Sequence, residues 1–146
     1  MFVALPGSAE NVYTGKVLSV TDGDTFHMSH KGKEFKVRLA EIDTPERGQP
    51  YGYQAKQALS DLIFGKRVRV VEVGRNRRII GRVYVDNLDV NATLVKLGYA
   101  WVNREGIRNP ELFRLEKEAR AGKRGIWALA EAEGVLPWEW WHRRED

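Results

Sequence analysis

The sequence predicts an α+β domain, a mainly β barrel of five strands with about three helices packed on it. Three observations lead there. The first half reads as strands, rich in β-branched and aromatic residues, and the period lengthens to that of a helix between Tyr53 and Phe64. Two further strand patterns then precede a C-terminal third that is rich in helix signals.

Taken in order, Val12 to Val20 and Thr25 to His30 are rich in β-branched and aromatic residues, with turn chemistry at Asp22-Gly23-Asp24 between them. His30-Lys31-Gly32-Lys33 makes a second tight turn. Phe35, Val37 and Leu39 alternate with Lys36, Arg38 and Ala40, which buries one face and turns Arg38 to the other. Ala55, Ala58, Leu59, Leu62 and Ile63 recur at helical spacing, and Gly65 stops that helix. Strands follow at Arg67 to Val71 and Ile79 to Val85, the latter with Val83 and Val85 opposite Arg82 and Tyr84. A short helix spans Val90 to Leu97 and ends at Gly98. A longer one opens at Asn109-Pro110-Glu111, an N-cap, a proline and a first-turn acid, and carries Leu112, Leu115 and Ala119 as far as Gly122. This order fits the OB fold, whose barrel face commonly takes oligonucleotides. Residues 1–11 read as a flexible lead-in and 12–146 as one domain, with 128–146 a Trp-rich tail packed on it.

With 146 residues the chain supports one domain with a substantial core. A net charge of +4 and a pI near 9.4 favour an anionic partner, nucleic acid first. The absence of cysteine excludes disulfides, thiolate catalysis and zinc-thiolate sites. No apolar run approaches membrane-spanning length, so no membrane partner is expected.

Three clusters carry chemistry: Asp22-Gly23-Asp24-Thr25, the stretch from Arg38 to Glu46, and Gly81-Arg82. Asp24 and Asp43 are candidate ligands for a hard divalent cation, with the Thr44 carbonyl as a third, aimed by the proline that follows it. Read locally, the first cluster is also a hairpin turn, and Thr44-Pro45-Glu46 is also a helix start with Thr44 as N-cap. In the functional reading Glu46 takes a proton from attacking water or orients that water. Arg38 and Arg82 supply planar guanidinium groups for phosphate oxygens, or are solvated strand residues. Gly74-Arg75-Asn76-Arg77-Arg78 is a basic loop suited to a phosphate backbone, or an ordinary hairpin tip. Trp101 is read as a packing residue, and Trp138, Trp140 and Trp141 as packing the C-terminus onto the domain. His27, His30 and His142 show no ligand spacing.

These residues resemble the staphylococcal nuclease-like family. The matching stretches are Val20 to Thr25, Val37-Arg38-Leu39, Ile42 to Glu46, Gly48-Gln49-Pro50-Tyr51-Gly52 and Gly81-Arg82-Val83. Further matches are Leu94-Val95 to Gly98, Ala100-Trp101-Val102, and Glu116 through Arg124-Gly125-Ile126-Trp127. The resemblance runs from about Tyr13 to Trp127, and Pro137 to Trp140 resembles the tail of bacterial members. It implies an OB-fold barrel that hydrolyses DNA and RNA with Ca2+, leaving 3′-phosphate ends, with little sequence preference and on single-stranded or frayed substrate. By motif, Asp24, Asp43 and Thr44 would bind the metal, with Asp22 supporting through water. Glu46 would act on water, and Arg38 and Arg82 would hold the phosphate. Apart from the resemblance, the basic loop offers Arg75, Arg77 and Arg78 as nucleic-acid contacts. A monomer is expected, secreted or periplasmic like its exported relatives.

The chain departs from the pattern in two places. Ile79-Ile80 stands where the staphylococcal enzyme has a lysine-tyrosine that touches a terminal phosphate. Val102-Asn103-Arg104-Glu105-Gly106 stands where relatives carry base-stacking tyrosines. Weaker binding is therefore expected, and two other readings stay open: a module that binds nucleic acid or protein without cleaving, and a hydrolase of small phosphodiesters.

Overall fold

The computed structural model describes residues 11–105 and 109–140. In chain order its elements are β1 (Val12–Asp22), β2 (Thr25–His30), β3 (Lys33–Leu39), β4 (Ile42–Asp43), α1 (Gly52–Ile63), β5 (Arg67–Arg75) and β6 (Ile79–Val85). They continue as β7 (Leu88–Asp89), α2 (Val90–Leu97), β8 (Trp101–Val102), α3 (Pro110–Ala121), α4 (Ile126–Glu133) and a 3-10 turn at Pro137–Glu139. Residues 1–10 of the expected lead-in, Gly106, Trp141 and His142 lie outside the described residues. Asn11 does not belong to a free lead-in, since its carbonyl accepts the Glu72 N–H at 2.9 Å.

Five strands close into the expected barrel, and their pairing is mixed. β1 pairs antiparallel with β2 and β5, β2 with β3, and β5 with β6. The closing seam is parallel, β3 on β6, with Val37 opposite Ile79, Arg38 opposite Ile80 and Leu39 opposite Gly81. Closing so few strands needs strong bending, and bulges supply it. The register shifts between Val17 and Ser19 and between Val20 and Asp22 on β1, and between Glu72 and Gly74 on β5. The second β1 bulge lies directly before the Asp22-Gly23-Asp24 turn.

Inward residues from every barrel strand fill the core, among them Val17, Phe26, Met28, Val37, Leu39, Val70 and Val83. Leu59 and Ile63 of α1 and Leu94 of α2 close over it. A second cluster gathers Trp101, Ala119, Ile126, Trp127 and Trp140 around α3 and α4. Trp101 is only 3% exposed and meets Trp140 edge-on at 6.4 Å, the packing role read from the sequence. Trp140, also 3% exposed, returns the C-terminal segment to the domain.

Caps behave as their chemistry demands. Asp89 accepts from Ala92 N–H to start α2, and Asn109 accepts from Glu111 N–H ahead of Pro110 to start α3. Four points differ from expectation. There are four α-helices among the described residues rather than about three, because α4 forms within the span assigned largely to the tail. β5 runs on to Arg75, so the basic loop shrinks to the tip beyond it. Thr44-Pro45-Glu46 starts no helix, the next one opening only at Gly52. Ala40, placed on the polar face by simple alternation, is 1% exposed because the chain leaves β3 after Leu39.

Candidate active site

One end of the barrel gathers the acidic residues. The β1–β2 turn places Asp24, whose backbone N–H donates to Asp22 Oδ1 at 3.1 Å. That side-chain acceptor two residues back is a turn device, so Asp22 shapes the loop that presents Asp24. Thr25 Oγ1 donates to Asp24 Oδ1 at 3.1 Å. Gly23 has to be glycine: a Cβ there would stand 2.8 Å from Thr44 Oγ1 and 2.8 Å from Ala55 Cβ. The turn therefore lies against Thr44, and the hairpin itself carries Asp22 and Asp24 into one cavity with it.

Arg38 ties the two candidate ligands together. Its Nη2 donates to Asp43 Oδ1 and lies 3.4 Å from Asp24 Oδ2. Its Nη1 donates to the Leu39 and Ile42 carbonyls at 2.7 and 2.9 Å, which fixes the guanidinium plane. Asp43 is aligned from the other side by Asn103, whose Nδ2 donates to Asp43 Oδ2 at 2.9 Å. Asn103 is carried there by the pairing of β4 with β8, Asp43 opposite Trp101. The residue that marked a departure from the family pattern thus supports a candidate ligand.

Glu46 is held through its backbone. Its N–H donates to Gln49 Oε1 at 2.8 Å, and Gln49 N–H returns a bond to the Glu46 carbonyl at 3.0 Å. Gly52 packs on the same carbonyl, since a Cβ there would come within 2.2 Å of the oxygen. Asp22, Asp24, Thr25, Arg38, Asp43, Thr44, Pro45, Glu46 and Arg78 line one cavity of about 240 Å³. Asp24 and Thr44 form its recessed part, 9% and 3% exposed, while Glu46 stands exposed beside them.

Arg82 is not among the residues lining that cavity. The parallel seam puts Arg38, Ile80 and Arg82 on one outward face, with Arg82 about 7 Å farther along its strand than Ile80. Its Nε donates to Glu41 Oε1 at 2.7 Å. Of the three arginines assigned to the basic loop, only Arg78 reaches the cavity. Arg75 pairs instead with Glu72 and Tyr13, and Arg77 sits at the hairpin tip with φ 63°.

Burial is the largest influence on Asp24, and it pushes the carboxyl up to about 7, against the opposing pull of Arg38. Two nearby carboxylates sharing one arginine leave excess negative charge in a recessed pocket, a donor set of hard oxygens that fits a divalent cation. Among the described residues no three His, Asp or Glu side chains gather closely enough to hold an ion alone. Asp24, Asp43 and the Thr44 carbonyl would hold it, with water and substrate oxygens completing the shell. The raised carboxyl has a consequence for stability. Its contribution in metal-free protein is complete below the unfolded value of 3.8 and is lost as pH rises through 7. Asp24→Asn is therefore expected to stabilise metal-free protein by up to roughly 4 kcal/mol at pH 8 and to gain nothing near pH 4. Urea unfolding in chelator at both pH values measures this, and an equal effect at the two would refute it.

Several supporting residues carry no sequence motif of their own. Asn91, 3% exposed, accepts from Val83 N–H at 3.1 Å and donates to the Ala40 carbonyl at 3.0 Å, joining α2 to β6 and to the residue that follows β3. A polar residue at a helix position that faces apolar neighbours was the available signal for it.

A family model described as staphylococcal nuclease homologue matches residues 36–129. An Escherichia coli protein named as an uncharacterized endonuclease is 41% identical over 133 residues, covering 89% of this chain and 86% of its own. A Haemophilus influenzae protein of the same description is 35% identical over 149 residues, covering 100% and 82%. A Shigella flexneri protein named micrococcal nuclease is 35% identical over 153 residues, covering 96% and 86%. With the barrel closed as the motifs require and the matches spanning most of its length, this chain belongs to the staphylococcal nuclease family.

Proposed function

We propose that the protein is a nuclease that hydrolyses the phosphodiester backbone of DNA and RNA with Ca2+ as cofactor. The observation that carries this reading is the single cavity in which Arg38 bridges Asp24 and Asp43 while Glu46 stands at the same wall. When bound, the cation makes a coordinated water easier to deprotonate and offsets charge on the phosphate. Asp24, Asp43 and the Thr44 carbonyl would hold it. Glu46 accepts the proton of the attacking water. Arg38 and Arg82 donate to the equatorial phosphate oxygens as they gain charge. The bond from phosphorus to the 5′ oxygen breaks, that oxygen takes up a proton, and the products are a 3′-phosphate and a 5′-hydroxyl.

Specificity follows from the lining. Acids, arginines, Thr25, Thr44 and Pro45 address phosphate and sugar rather than base edges, so little sequence preference is expected. A phosphodiester has to bend inward to meet the recessed Asp24, which a single strand or frayed end does more cheaply than stiff duplex. Arg78 at the rim tracks the backbone, and one chain supplies every group, so a monomer suffices. Purified protein should digest DNA and RNA with calcium, leave 3′-phosphate ends, and stop in excess chelator. Persistent cleavage in chelator would reject the metal.

A second reading, nucleic-acid binding without cleavage, draws on one observation: Arg82 engages Glu41 and lies outside the acidic cavity. Retention of an oligonucleotide by protein that never cuts it under calcium would favour that reading.

A further inference from the structure

Glu41 has no part in the chemistry described above, yet it occupies an unusual position. It lies in the turn between β3 and β4 with φ 69°, a left-handed conformation that side chains other than glycine, asparagine and aspartate adopt rarely. Its side chain is 9% exposed, and a buried carboxylate is stable only when donors surround it. Two are in place. Arg82 Nε donates to Oε1 at 2.7 Å, and the Asn109 N–H donates to Oε2 at 2.9 Å. The Glu41 backbone carbonyl accepts the Asn103 N–H at 2.9 Å, and Asn103 in turn aligns Asp43. A strained backbone whose side chain and carbonyl both end on site residues marks a position where structure serves function.

From this geometry we infer that Glu41 is a positioning residue for Arg82. The inference rests on the phosphate role proposed for that arginine. Arg82 is 40% exposed on the outer barrel face, and a long exposed side chain samples many rotamers. The bond at Nε, the guanidinium nitrogen nearest the chain, fixes the rotation of the plane. Asn109 N–H steadies the carboxylate, so the start of α3 sets the direction from which Arg82 is held. A pre-oriented guanidinium matters most when charge develops on the phosphate, so the loss should fall on turnover rather than on substrate affinity.

The test compares kcat and KM for calcium-dependent digestion of a single-stranded oligonucleotide by wild type, Glu41→Gln, Glu41→Ala, Arg82→Ala and the Glu41→Ala/Arg82→Ala double variant, with a melting curve for each. Glu41→Ala is expected to lower kcat roughly ten- to thirty-fold with KM within about threefold. Glu41→Gln keeps one acceptor oxygen and should fall between, which serves if the alanine variant folds poorly. The double variant should match Arg82→Ala alone, because Glu41 acts only through that residue. Wild-type kcat in Glu41→Ala, or losses that multiply in the double variant, would overturn the inference while leaving the nuclease reading intact. If wild type does not cleave, that reading fails instead. The Arg82 Nε–H signal in nuclear magnetic resonance then decides: loss of its protection from solvent exchange in Glu41→Ala supports positioning, and unchanged protection in that variant overturns it.

Discussion

Glu46→Gln is expected to lower the turnover of nucleic acid by about 10²- to 10⁴-fold, the range spanned by general-base catalysis. The amide has the shape of the carboxylate but takes no proton from water. The backbone of Glu46 is held on its own account: its N–H donates to Gln49, and its carbonyl accepts the Gln49 N–H and lies against Gly52. The side chain is exposed and the amide keeps its shape, so the substitution should change stability by no more than about 0.5 kcal/mol. Arg38→Ala would also abolish activity but is harder to read. It removes donors from Asp24, Asp43 and two backbone carbonyls at once, which costs folding as well as chemistry. Steady-state digestion alongside calorimetric titration with calcium separates the contributions. Wild-type turnover in Glu46→Gln, with calcium binding unchanged, would show that another group handles the water.

Glu116→Ala should destabilise the fold by about 2–4 kcal/mol, lowering the melting temperature by roughly 10 °C. Glu116 is 3% exposed on the inner side of α3. Its Oε2 accepts the Val102 N–H at 2.6 Å and Arg104 Nη1 at 2.8 Å, and its Oε1 accepts Arg104 Nη2 at 2.6 Å. Truncation strands a buried backbone donor and a guanidinium. Arg104, 41% exposed, recovers partly in water, and the estimate is lowered for that reason. Glu116→Gln keeps an acceptor for Val102 and should lose less. Because Asn103 follows Val102 and aligns Asp43, Glu116→Ala should also weaken calcium binding at temperatures where the protein is still folded. A melting temperature unchanged within about 2 °C would refute the clamp.

The parts legible in advance were those with local causes. α2 and β6 occupy Val90–Leu97 and Ile79–Val85 as read, because an aspartate cap with a terminal glycine, and strict alternation, act over a few residues. α4 escaped notice as a helix: its N-cap Gly125 makes no side-chain cap bond, and what holds it is packing of Ile126, Trp127 and Ala130 in the second core cluster. β4 and β8, two residues each, have no periodicity to read and exist only because Ile42 meets Val102. Thr44 carried a good helix-start signal that lost to tertiary contact, with Gly23 seated against its side chain. Glu41, Asn91 and Glu116 are single polar letters in sequence, and their burial depends on elements dozens of residues away.

The chain alone specified the barrel class, the charged residues at its rim and their family, since period, turn chemistry and ordered motifs are all written locally. Folding in three dimensions decided which of those charges meet. The parallel closure of β3 on β6 and the short β4–β8 pairing brought Arg38 between Asp24 and Asp43, and set Arg82 against Glu41 instead. Such pairings are decided by how a closed sheet satisfies its backbone and buries its inner face, a condition on the whole molecule that no short stretch contains.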